Sequence, residues 1–175
     1  MSEELLLAVQ HNAPIHEIQA LLRDPRIKVN FQDRDGTTAL HEAALRRNIP
    51  IMELLLRHRA KINLKDRQKN TALHYVYLYY TGENEHDLIP AINTLLARGA
   101  NPNQANDIGE TIVKWAAFHG HIAIMRCLLD ANADAKDAMI DARSGEHLAM
   151  IKLLSEHLQA GSLSSETDEK HSLHL

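Results

Sequence analysis

Histidines, a single cysteine and scattered carboxylates are the groups with which this 175-residue chain could do chemistry. His41 and His74 stand in the same setting, Thr38-Ala39-Leu40-His41 and Thr71-Ala72-Leu73-His74, and invite a reading as metal ligands. A metal site needs three or four converging donors. Neither histidine has a carboxylate at ligand spacing, and no His-x3-His pair falls on a predicted helix. His119-Gly120-His121 offers at most half of such a site and reads better as a turn whose glycine takes a left-handed conformation. Asp33-Arg34-Asp35-Gly36 opens like a calcium loop but lacks the later acidic positions and the closing glutamate. Cys127 lies beside Leu128 at a helix position equivalent to Leu153, so a buried small apolar residue is expected rather than a nucleophile. No glycine-rich phosphate loop and no nucleophile elbow are present in the sequence. The expectation is a non-enzymatic protein with no catalytic residue, no metal and no cofactor.

Composition bounds what must position these groups. Hydrophobic residues make up 45% and charged residues 24%, but aromatics only 4%, so a core must rest on Leu, Ile and Ala. With seven glycines and five prolines the chain favours helices over a loop-rich β-fold. The net charge of -4 argues against nucleic acid as the main partner, because such binding needs clustered basic charge. No apolar run approaches a membrane span, which argues against membrane insertion. One cysteine excludes an internal disulfide and fits a reducing compartment. The acidic opening Met1-Ser2-Glu3-Glu4 does not resemble a secretory leader. A cytoplasmic protein, monomeric alone, is expected.

The chain repeats itself. Thr37 to Ala44, Asn70 to Tyr77 and Glu110 to Ala117 are similar openings, each followed by a double leucine: Leu55-Leu56, Leu95-Leu96 and Leu128-Leu129. Leu40 to Leu73 and Leu96 to Leu129 are both 33 residues. The middle unit is longer by seven, and Thr81 to Asp87 is the insert. Leu40, Ala43 and Ala44 recur at helical spacing, as do Ile51, Leu54 and Leu55, so each unit predicts two amphipathic helices. Thr38, Thr71 and Thr111 can cap the first helices, and Pro50 and Pro90 suit first turns. Asp35-Gly36 and Ile108-Gly109 are turn signals.

A period of 33 with a Thr-x-Leu-His opening resembles the ankyrin repeat. Leu96-Ala-Arg-Gly-Ala-Asn-Pro-Asn103, Phe118-His119-Gly120-His121 and Ala60-Lys61-Ile62-Asn63 strengthen the resemblance. It implies an all-α solenoid of stacked antiparallel helix pairs with β-turn fingers. It also makes His41 and His74 structural, each imidazole tying the turn to its helix with the neighbouring threonine. The organisation expected is an ankyrin-repeat domain over 1–160, with an N-terminal cap at 3–35, repeats at 36–68, 69–108 and 109–136, and a C-terminal cap at 137–160. A polar tail without periodicity, 161–175, is expected to be disordered. The family's Pro after the opening threonine is replaced by Ala39, Ala72 and Ile112, and Lys114 stands where His is usual. Val76-Tyr77 replaces the small pair kept elsewhere, and the bulk of Tyr77 is expected to push helices apart.

The resemblance implies a protein-binding scaffold whose fingers and inner helices form a concave face. Offsets of 33 and 40 align Glu42, Tyr75 and Trp115; Leu45, Leu78 and Phe118; and Arg46, Tyr79 and His119 on one helix face away from the core. Six of the seven aromatics, all but Phe31, fall in the second and third units. The expected partner-binding set is Glu42, Arg46, Tyr75, Leu78, Tyr79, Trp115, Phe118 and His119, with specificity from the finger tips Arg34, Asp35, Arg67, Gln68, Lys69, Asp107 and Glu110. The partner is a protein whose identity the sequence does not specify. The acidic, Ser/Thr-rich tail with Glu166, Asp168, Glu169 and Leu173 is similar to C-terminal signals of effectors delivered by type IV secretion systems. That resemblance implies a bacterial effector translocated into a host cytosol as the alternative function. A small enzyme with an unrecognised site is the third.

Overall fold

The computed structural model describes residues 3–80 and 85–159, and helices are its only regular elements. Residues 81–84 of the insert and the tail 161–175 lie outside the described residues. The chain divides into two compact units, Met1–Ile112 and Val113–Leu175.

The first unit holds α1 (Glu4–Gln10), α2 (Ile15–Arg23), α3 (Ala39–Leu45), α4 (Ile49–Arg57), α5 (Ala72–Tyr77) and α6 (Ile89–Ala97). α1, α3 and α5 pack side by side, α2, α4 and α6 form a second row, and each helix also packs on its sequence partner. The apolar spacing explains this. Leu40, Ala43 and Ala44 of α3 and Ile51, Met52, Leu54 and Leu55 of α4 are all buried. The two alanines admit close helix contact, while the leucines fill the layer between rows. Asn48 caps α4 by accepting from Ile51 N–H at 3.2 Å, and Pro50 occupies the first turn, where its missing donor costs nothing. Pro90 does the same in α6.

Tyr77 is buried, yet α5 packs against both α3 and α6. The adaptation is in the chain path. α5 stops at Tyr77, Leu78 is extended (φ -60°, ψ 132°) and Tyr79 is left-handed (φ 57°). A single 3-10 turn, Glu85–Asp87, precedes α6.

The second unit contains most of α7 (Ile112–His119), then α8 (Ile122–Asp130), α9 (Ala138–Ser144) and a helix over 148–159, here α10. Ile124 and Leu128 of α8 are buried, and so are their counterparts 26 positions on, Met150 and Leu154. Cys127 is half-buried, as is Leu153, so the buried placement expected for the thiol is corrected. Its neighbour Leu128 takes the core position instead.

Candidate protein-binding surface

Three turns of the first unit share one construction. At each, an Asp or Asn closes the turn on itself. Asp33 N–H donates to the Thr37 carbonyl, and Asp33 Oδ1 accepts from the N–H groups of Asp35 (2.9 Å) and Thr37 (2.8 Å). Asp66 Oδ1 accepts from Asn70 N–H (2.7 Å), and Asn106 Oδ1 from Ile108 (3.2 Å) and Glu110 (2.9 Å). Asx side chains favour such turns because they bond locally to the backbone. The turns are then laced together. Arg67 N–H donates to the Asp35 carbonyl and Asp107 N–H to the Gln68 carbonyl, both at 2.8 Å. Gln32 Nε2 donates to the Lys65 carbonyl at 2.9 Å. The predicted tip residues Arg34, Asp35, Arg67, Gln68, Lys69 and Asp107 are therefore brought into one row, all exposed, with Glu110 half-buried at its base. Arg67 Nη1 lies 3.9 Å from Asp35 Oδ1.

Histidine fastens this row to the helices. Thr38 N–H donates to His41 Nδ1 (3.1 Å), and His41 Nε2 donates to the Leu64 carbonyl (3.0 Å). Thr71 N–H and His74 repeat the arrangement, with His74 Nε2 reaching the Glu110 carbonyl at 3.3 Å. Each imidazole thus caps its own helix and grips the next finger. Burial holds both histidines below their ordinary pKa, favouring the neutral ring that these bonds require.

The expected helix face is not a single face. Tyr75 is 8% exposed. Its hydroxyl donates to Asp66 Oδ2 at 2.9 Å and lies 3.3 Å from Thr37 Oγ1, and its ring stacks on His41 at 4.7 Å. Burial raises its pKa. It is a bolt between α5 and two fingers, and its expected place on the open face is corrected. Tyr79 is corrected too. Leu78 still closes the helix, its N–H donating to the His74 carbonyl at 3.1 Å, but its extended ψ turns the chain away, so Tyr79 does not share the helix face of Tyr75. The run of aromatic residues after Leu73 has weak helix propensity, and Tyr77 and Tyr80 pack edge-on at 6.4 Å, drawing the chain off the helix axis. Tyr79 is left 82% exposed, and Leu78 is half-buried.

Glu42 is half-buried, 3.5 Å from Arg46 Nε, and Arg46 Nη2 donates to the Gln10 carbonyl at 2.6 Å. Gln10 was invisible as a partner from the sequence because the cap repeat is degenerate. So was Arg47, whose guanidinium lies 5.4 Å from the Tyr80 ring centroid. In the second unit Trp115 is half-buried, Phe118 is 51% exposed and His119 is exposed. His119 Nδ1 approaches the Trp115 carbonyl at 2.8 Å, and its ring packs edge-on to Phe118 at 5.2 Å and stacks on His121 at 5.6 Å. His147 Nε2 meets the Phe118 carbonyl at 2.8 Å, an inter-repeat tie the sequence alone did not reveal. Among the described residues no group of three or more His, Cys, Asp or Glu could hold a metal ion. No described helix is long and apolar enough to cross a membrane.

Comparison with known proteins agrees with this architecture. The family model of ankyrin repeats, in three copies, matches residues 5–79 and 78–164. No curated protein matches the sequence. Paired helices, left-handed turns and histidine-fastened fingers, under a family model that spans nearly all the described residues, make the chain a member of the ankyrin-repeat family.

Proposed function

We propose that the protein is a non-enzymatic binding module that engages a partner protein through its finger row and the turn after α5. Ankyrin repeats are generally protein–protein interaction modules, so the family supports the class. The observation that carries the reading is how the polar groups are used. His41, His74, Asp33, Asp66 and Tyr75 are occupied in holding turns to helices. Arg34, Arg67, Gln68, Lys69, Asp107 and Tyr79 are presented to solvent instead. An aromatic side chain as exposed as Tyr79, in a chain with so few aromatics, is the kind of anchor that interfaces use. Phe118, with Trp115 and His119 beside it, is the corresponding candidate in the second unit.

The test is capture from lysate followed by substitution. Tyr79→Ala, Phe118→Ala and Trp115→Ala should each leave the fold intact, and at least one should weaken partner binding by about 2 kcal/mol. Folded variants that all bind like wild type would move the site away from these residues. Glu166, Asp168 and Glu169 in the tail support a translocated form of the same module. A reporter in which deletion of 161–175 leaves translocation unimpaired would remove that support.

A further inference from the structure

The charges on the first two fingers are not evenly used. A cleft of about 280 Å3 between them is lined by Gln32, Asp33, Arg34, Gly36, Lys65, Asp66 and Arg67. Its two carboxylates are already engaged. Asp33 Oδ1 takes two backbone N–H groups, and both oxygens of Asp66 accept, from Asn70 N–H, Asn70 Nδ2 and the Tyr75 hydroxyl. Both carboxylates keep their charge, but they are half-buried with these oxygens turned to the finger turns, whereas Arg34 and Arg67 are exposed and Lys65 is half-buried. Arg34 and Lys65 make no ion pair among the described residues, and Arg67 has only the long 3.9 Å approach to Asp35, with 72% of its side chain exposed.

Lys69 adds a further cation on the second finger. It stands where the neighbouring fingers have Gly36 and Gly109, and it holds the same left-handed backbone (φ 61° against 82° and 80°). Glycine adopts that conformation freely, while a lysine there is strained. The strain places one more exposed ammonium on the tip that carries Arg67. Two adjacent turns of a chain with net charge -4 thus carry four cations, Arg34, Lys65, Arg67 and Lys69, against three carboxylates, Asp33, Asp35 and Asp66.

We propose that the cleft between the first and second fingers docks a short acidic segment of the partner protein, its Asp or Glu carboxylates received by Arg34, Lys65 and Arg67. The inference rests on the protein-binding reading above and names the chemistry of the partner. A peptide is favoured over a nucleic acid because the basic surface is short. Asp107 is exposed on the next finger, outside the cleft, and would repel a long polyanion laid along the row.

The experiment uses the full chain and two fluorescein-labelled peptides of equal length, one rich in Glu and one with Lys at the same positions. Polarisation should show saturable, salt-sensitive binding of the Glu peptide alone. Amide shifts in NMR should fall on 32–36 and 65–69. Lys65→Glu with Arg67→Glu should weaken the Glu peptide by roughly tenfold or more, and the exposed Arg67→Glu alone should weaken it with an unchanged melting curve. No saturable binding, an unchanged affinity in the double variant, or tighter binding of a single-stranded oligonucleotide would each overturn the proposal. The lysate partner separates this inference from the broader one. Partner binding that survives the double reversal but is lost in Tyr79→Ala refutes the acidic segment and keeps the protein interface. Partner binding that survives the double reversal and also Tyr79→Ala, Phe118→Ala and Trp115→Ala refutes the two together.

Discussion

The histidines that first suggest metal chemistry hold the fold instead, and their bonds specify how it responds to acid. His41 Nδ1 must be unprotonated to accept from Thr38 N–H while Nε2 donates to the Leu64 carbonyl. Burial lowers both histidine pKa values in the folded state. As pH falls, the unfolded chain therefore takes up these protons first. Stability is full above the unfolded value of about 6.5 and drains as pH falls from there towards the lower folded values. Thermal melts between neutral pH and mildly acidic pH should show a falling Tm. A His41→Asn/His74→Asn variant should start lower and fall less. An equal pH slope in both proteins would mean that other groups set the acid response.

At the scale of elements, equivalent turns make unequal demands on glycine. Gly36 and Gly109 have nearly the same left-handed φ, 82° and 80°. A Cβ at Gly36 would lie 2.9 Å from Asp66 Cα and 3.0 Å from Arg67 N, whereas one at Gly109 meets nothing within 4 Å. Both substitutions to alanine carry the backbone strain of about 1 kcal/mol, but only Gly36→Ala also forces the first two fingers apart. Denaturant unfolding should rank Gly36→Ala as clearly the more damaging. Equal losses would show that the fingers are not laced as described. Helix pairs, caps and turns were legible in the sequence because each depends on local spacing: Thr38, Pro50, Gly36 and Gly120 act where their types predict. The end of α5 was not legible. Whether Tyr79 continues a helix depends on Tyr77 and Tyr80 packing together and Arg47 lying over the Tyr80 ring, contacts set by tertiary structure. Tyr75 was misplaced for the same reason. Its binary pattern marks an outward position, but the hydroxyl finds Asp66 on a finger that only folding brings near.

At the scale of the molecule, each unit is a stack of helix pairs that bury small and aliphatic side chains, and repeat stacks of this kind derive stability from neighbour contacts. Leu73 is 2% exposed in α5, which packs on both α3 and α6. Leu73→Ala should cost roughly 2–5 kcal/mol and lower protection through α3, α5 and α6 together in hydrogen exchange. Loss confined to α5 would mean that the first unit does not unfold cooperatively. The central claim, that the finger row and the turn after α5 form a protein-binding surface, is tested most directly by hydrogen exchange of the full chain with its captured partner bound. The account predicts new protection at 32–37, 65–70 and 78–80, with the second helix row, α2 and α4, unchanged. Protection confined to α2 and α4, or none in the first unit, would contradict it.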